Sequence, residues 1–272
     1  MKHGIVALML LGLSGCLATS PTGRNQLMMF SAEQMRQLGS ESFAQIKQQE
    51  PISQDAAVVA YVQCVADALT QPSLLQAIDP SQQERWQLVV FESDQVNAFA
   101  LPGGYIGVYR GLLKAAQTPD QLAAVIGHEI GHVLANHGNE QVSRGQATNV
   151  GLQMIDVALG ASGTGNREMI MAGLGLGAQV GIMLPFGRQQ ESESDVIGLE
   201  LMARAGFDPA AAIALWQNMA QVSGGGGQPE FLSTHPSHSN RIAELSRRQA
   251  EAQQWYQQAQ QQGQRPNCKV PN

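Results

Sequence analysis

The sequence predicts an α+β fold that is mainly helical. Three observations carry this: several capped stretches with helical apolar spacing, only short runs rich in β-branched and aromatic residues, and a composition with 29 glycines and 5% aromatics. At 272 residues, 43% apolar and 14% charged, the chain suits one large domain or two small ones and excludes a charge-driven disordered chain. The net charge of −6 reflects 16 basic against 22 acidic residues. No Lys/Arg run rises above that background, so nucleic acid is not an expected partner.

Taken in order, a short basic start is followed by an apolar stretch and then Ser14-Gly15-Cys16. This reads as a secretory signal over residues 1–15. Leu13-Ser14-Gly15-Cys16 resembles a bacterial lipobox, with Cys16 lipidated as the new N-terminus; the alternative is an ordinary signal peptide cut nearby. Leu17, rather than Asp, follows Cys16, which points to the outer membrane and a periplasm-facing protein. Residues 16–30 read as a linker from the lipid anchor to a domain over 31–250.

Ser31 with Gln34 forms a capping-box pattern that opens a helix to about Gln49. Asp55 begins a second helix, to Leu69. Residues 86–92 and 105–109 read as strands, with a turn at Pro102-Gly103-Gly104. Thr118, Pro119 and Gln121 supply an N-cap, N1 and N3 for a helix running to about Asn136, with Gly138 just past its end. Residues 169–186 are uncharged and meet the crude length of a membrane span. Their glycines, Gln179 and Pro185 favour a buried or surface-plugging helix instead. Helices are expected over 188–205, 209–222 and 240–258, with a flexible break at 224–227 and a Gln-rich tail over 251–272.

If Cys16 is acylated, only Cys64 and Cys268 remain, in a compartment that oxidises thiols. That predicts a Cys64–Cys268 disulfide; the alternative is one buried thiol and one in a frayed tail.

His128-Glu129-Ile130-Gly131-His132 lies within the helix that begins after Thr118. Histidines four apart share one helix face, one turn apart, and can bind a single tetrahedral Zn²⁺. Glu129 is offset by about 100° and can reach a water on the metal. A catalytic zinc needs a third protein ligand and an open position. His137 reads as a helix C-terminal residue complementing the dipole. In Glu191-Ser192-Glu193-Ser194-Asp195, the i, i+4 acids share a face. One can bind zinc while the other holds a ligand imidazole; alternatively, the acids complement a helix N-terminus.

HEIGH, RQQESESDVIGLELMARAGFDP and STHPSHSNRI together resemble the zinc-peptidase family of HtpX and the CAAX-prenyl endopeptidase. TGRNQLM and NAFALPGGYIGVYRGLL resemble its soluble BepA/LoiP-like periplasmic branch. The resemblance spans roughly residues 20–250. It implies a gluzincin-type metallopeptidase domain with a small antiparallel sheet beside the HEIGH helix. It also implies one Zn²⁺ held by His128, His132 and Glu191, with Glu129 as general base and Asp195 orienting a ligand histidine. Asn97, Ala98 and Phe99 resemble the edge strand presented to substrate, or else form a plain strand end. His235 and Arg241 match a segment beside the zinc. There His235 either enters the open position as a gate or stabilises the oxyanion, and Arg241 serves that oxyanion or holds Glu191. A role for neither is the remaining alternative. The expected function is a zinc endopeptidase lipid-anchored at the outer membrane through Cys16, acting on misfolded or misassembled envelope proteins. Its rivals are a zinc-stabilised chaperone or scaffold and an intramembrane peptidase using residues 169–186.

Overall fold

The computed structural model describes residues 17–158, 185–222, 230–235 and 241–271. The signal segment, Cys16, residues 169–184 and residues 224–227 lie outside the described residues. In chain order the first elements are β1 (Leu17–Thr19), β2 (Asn25–Leu27), α1 (Ala32–Gln49), α2 (Ala56–Leu69) and α3 (Pro72–Ile78). Next come β3 (Gln87–Phe91), β4 (Ala98–Leu101), β5 (Tyr105–Tyr109), α4 (Pro119–Leu134) and α5 (His137–Ala158). The last are α6 (Arg188–Arg204), α7 (Ala211–Val222), α8 (Glu230–Thr234) and α9 (Arg241–Gln261). The mainly helical α+β expectation holds. Among the described residues, no helix is long and apolar enough to cross a membrane.

Three helices begin where their caps predict. Ser31 and Gln34 close a capping box on α1, Asp55 accepts from Ala57 and Val58 N–H on α2, and Thr118 accepts from Gln121 N–H on α4. Each side chain satisfies backbone donors that the first helical turn leaves unpaired. The far end of α4 differs from expectation. It stops at Leu134, Asn136 takes a left-handed φ of 55°, and α5 begins at His137. Asn tolerates that conformation because its short polar side chain bonds locally.

α4 is the axis of the molecule. Leu122, Ile126, Ile130 and Leu134 are fully buried, each contributing about 1.5–3 kcal/mol by leaving water. It packs against α6 at a separation that only small residues allow. A Cβ on Gly198 would come within 2.7 Å of the His128 backbone nitrogen, and one on Gly131 within 2.8 Å of Ser194 Oγ. Ser194 Oγ in turn donates to the His128 carbonyl.

The sheet order is β3-β5-β4. β4 and β5 pair antiparallel around the Pro102-Gly103-Gly104 turn, as expected, with Gly103 and Gly104 at φ of 91° and 82°. β3 joins β5 in parallel, so the sheet is mixed rather than wholly antiparallel. The connection over 92–97 steps across one strand position and leaves β4 at the edge, beside α4. Phe43, Phe91, Phe99, Leu101 and Tyr109 form a second apolar cluster between α1 and the sheet.

Two segments expected to lie outside the domain are part of its structure. Within residues 16–30, read from the sequence as a linker, β1 and β2 form an antiparallel hairpin. Its polar side chains are anchored on α4–α6: Gln26 Nε2 donates to the Ala135 carbonyl at 2.6 Å, and Arg24 pairs with Glu140 and Glu193. The 251–272 tail begins inside α9, where Ala252 and Ala259 are buried. It ends tied to α2 by a Cys64–Cys268 disulfide, with Cys268 buried.

Candidate metal and peptidase site

His128 and His132 project from one face of α4 toward α6, as their spacing predicts. Glu191, in the first turn of α6, and His235, just after α8, complete a buried group. One ligand atom from each of the four lies within 4.8 Å of all the others. His132 Nε2 is 3.1 Å from His128 Nε2, and His128 Nε2 is 3.3 Å from His235 Nδ1. Glu191 Oε1 is 2.9 Å from His235 Nδ1 and 3.5 Å from His132 Nε2. Ligands on a tetrahedral ion at about 2.0–2.1 Å sit roughly 3.4 Å apart, so these separations fit one small cation.

The protonation pattern points the same way. His128 Nδ1 donates to Asp195 Oδ1 at 3.0 Å. His132 Nδ1 meets His137 Nδ1 at 2.8 Å, and His137 Nε2 meets Glu193 Oε2 at 3.1 Å. With the proton of each ligand histidine on Nδ1, the two Nε2 lone pairs face each other beside the Glu191 carboxylate, with Arg241 Nη2 3.2 Å from His128 Nε2. A bound cation satisfies all three at once. Burial, with the Arg241 charge beside it, drops His128 to about 4, and burial drops His132 well below the usual histidine range. Burial opposes ionisation of Glu191, but the neighbouring imidazoles of His132, His235 and His128 outweigh it and hold the carboxyl below its usual range. The donor set is therefore two neutral imidazoles and a carboxylate.

Glu129 is 2% exposed. It accepts from the Ala100 backbone N–H, while its Oε1 has no hydrogen-bond partner among the described residues. Burial pushes its carboxyl up to about 7. His235 Nε2 stands 3.3 Å from Glu129 Oε1. Burial lowers His235, yet the Glu129 and Glu191 charges prevail and raise it.

Arg241 is directed at the two acids of α6. Its Nη1 donates to Glu191 Oε2 at 2.7 Å, and its Nε and Nη2 grip Asp195 at 2.6 and 2.7 Å. Its guanidinium stacks 3.7 Å over the Trp216 ring. Both acids thereby share one guanidinium.

The edge strand also lies at the site. Asn97 O accepts from Tyr109 N–H and Leu101 O from Gly104 N–H, so by alternation Phe99 also turns its backbone toward β5. The Phe99 side chain packs against Phe43, Phe91 and Tyr109. Of the expected substrate residues, Ala98 keeps its backbone on the outer edge, and Ala100 joins it there. Asn97 Oδ1 caps the Ala98 N–H at 2.9 Å. A cavity of about 320 Å³ opens beside His132, lined by Met35, Ala100, Leu101, Asn139 and Phe186. The Phe186 ring stacks on His132 with centroids 3.9 Å apart.

Sequence reasoning read His137 as a dipole-complementing residue at a helix end. The structure places it at the start of α5, with its ring against His132. The only sequence signal was its position five residues after His132, which a break at Asn136 converts from the far face to the near one. Arg24 gave no signal beyond a polar N-terminal segment.

Comparisons with known proteins agree with this geometry. Peptidase family M48 matches residues 56–249. The chain is 37% identical over 170 residues to the mitochondrial metalloendopeptidase OMA1 of Schizosaccharomyces pombe, covering 62% of this chain and 48% of that protein. It is 30% identical over 241 residues to the mitochondrial metalloendopeptidase OMA1 of Homo sapiens, covering 85% and 45%. It is 28% identical over 224 residues to the beta-barrel assembly-enhancing protease of Escherichia coli (strain K12), covering 80% and 44%. The chain thus spans about half the length, or less, of these relatives.

Proposed function

The chain belongs to peptidase family M48, and from that premise we propose that it is a zinc-dependent endopeptidase acting on misfolded or damaged envelope proteins. The observation that carries the reading is the convergence of His128 Nε2, His132 Nε2 and the Glu191 carboxylate beside the buried Glu129 carboxyl. His128, His132 and Glu191 hold the ion, and Asp195 and Arg241 hold those ligands. Bound zinc supplies Lewis acidity, bringing a water toward a pKa of about 7 and polarising a carbonyl. Glu129 takes the proton of the attacking water and passes it to the leaving amine nitrogen. The outer edge of β4 presents the Ala98 and Ala100 carbonyls to an extended substrate, which suits loose sequence preference. The cavity beside His132 receives a substrate side chain.

His235 is the fourth donor of the group and serves as a gate. Its Nδ1 lies within the ligand group and its Nε2 faces Glu129, so a loaded site would be latent until the residue withdraws. Anchoring at the outer membrane through a lipidated Cys16 is part of the same proposal. The beta-barrel assembly-enhancing protease among the relatives supports an envelope setting.

Glu129→Gln tests the reading against a zinc-stabilised chaperone or scaffold. The variant should keep its zinc and its fold and lose cleavage of unfolded casein. Cleavage at the wild-type rate would discard hydrolysis by this site.

A further inference from the structure

The β1–β2 hairpin reaches the metal group through an unbroken chain of polar contacts that starts at the surface and ends buried. Its turn brings two side chains to one acid: Thr22 Oγ1 donates to Glu193 Oε1 at 2.5 Å, and Arg24 Nε donates to Glu193 Oε2 at 2.7 Å. Gly23, at φ 90°, makes that turn possible, and Ser20 Oγ accepts from the Arg24 N–H to close it. The remaining fork of Arg24 grips Glu140 at both oxygens, at 2.8 and 2.7 Å. Glu193 Oε2 accepts from His137 Nε2, which leaves His137 Nδ1 as the acceptor for His132 Nδ1–H. His132 Nε2 then points at His128 and Glu191.

We propose that Thr22 and Arg24 are positioning residues of the metal site, fixing His132 through Glu193 and His137. The inference rests on the reading of His132 as a metal ligand. A ligand imidazole is set by what holds its second nitrogen, in ring angle and in tautomer. For His128 that holder is Asp195, on the same helix as Glu191. For His132 it is a neutral imidazole, which orients nothing unless its own far nitrogen is pinned. Glu193 pins it, but Glu193 and Glu140 are two carboxylates buried on adjoining helices. Without a cation between them they repel each other, and Glu193 is free to turn toward solvent. Arg24, with its planar five-donor fork, is suited to hold both acids at once; lysine presents a single ammonium centre. The hairpin is thereby a working part of the site rather than a lead-in to it.

The test is zinc affinity of the full chain, measured by competition with a chromophoric chelator, with cobalt(II) absorption reporting ligand geometry. Arg24→Met should weaken zinc by about 10–100-fold, the usual loss when support of a ligand is removed. Thr22→Val removes one exposed hydroxyl and should give a smaller loss in the same direction, with a shifted cobalt spectrum and an unchanged apo melting temperature. Adding Arg24→Met to His137→Phe should weaken zinc no further than His137→Phe alone, because both act through one contact. Wild-type affinity in Arg24→Met and Thr22→Val, or fully additive losses in the double variant, would overturn the inference while the metal reading stands. A wild-type chain that takes up no zinc would overturn both. Should Arg24→Met fail to fold, Thr22→Val decides the matter.

Discussion

Glu191 joins three structural units at a single carboxylate: α4 through the ligand histidines, the segment after α8 through His235, and α9 through Arg241. Under the proposed reading, removing its charge removes a ligand and one of the two acids that Arg241 holds. Glu191→Gln should bind no stoichiometric zinc, measured by metal content after dialysis. Asp195→Asn should retain zinc with affinity reduced about 10–100-fold, since it supports a ligand without being one. Equal zinc in both variants would discard the ligand assignment. His235 gives a sharper contrast. As a gate, His235→Ala should raise basal cleavage of casein; as an oxyanion donor, its loss should lower the rate by about 10²–10³. The 2.9 Å approach of Nδ1 to Glu191 Oε1, within the ligand group, supports the first outcome.

At the scale of elements, the distance between α4 and α6 sets the distance between the two histidines and Glu191. Glycines at 131 and 198 keep that distance short, each at a helix-propensity cost of about 1 kcal/mol relative to alanine. That close approach brings His128, His132 and Glu191 from two helices into one buried group. Gly198→Ala would drive a methyl group against the His128 backbone and should destabilise the fold by about 1–3 kcal/mol despite alanine's better propensity. Urea denaturation should show the loss as a lower midpoint at unchanged slope. A stabilised variant would mean that the two helices can separate freely.

For the molecule as a whole, the disulfide joins residues 204 positions apart and closes most of the described chain into one loop. Replacing Cys64 and Cys268 by serine should lower stability by about 2–5 kcal/mol, read from denaturant midpoints of oxidised and variant protein. Matching midpoints would show that the C-terminal segment is held by α9 packing alone. The metal couples to global stability as well, because only the folded state assembles its ligands. Zinc at about a thousand times its dissociation constant should add roughly 4 kcal/mol, so chelation should lower the melting temperature. An unchanged melting temperature would mean that the folded chain does not prefer the ion.

What the sequence determined by itself is local. The caps at Ser31, Asp55 and Thr118, the helical stagger of His128 and His132, and the glycine turn before β5 depend on residues within a turn or two, where spacing dictates geometry. Tertiary structure decided the pairings between distant positions. β3 lies parallel to β5, residues 17–27 fold into a docked hairpin, and Arg24 meets Glu140 across 116 positions and Glu193 across 169. His137 shows the boundary between the two. Helical periodicity carried it away from His132, and one left-handed residue at Asn136 brought it back. Periodicity describes a helix only while the helix continues, and where the chain turns the three-dimensional packing of α5 against α4 determines which nitrogen meets which.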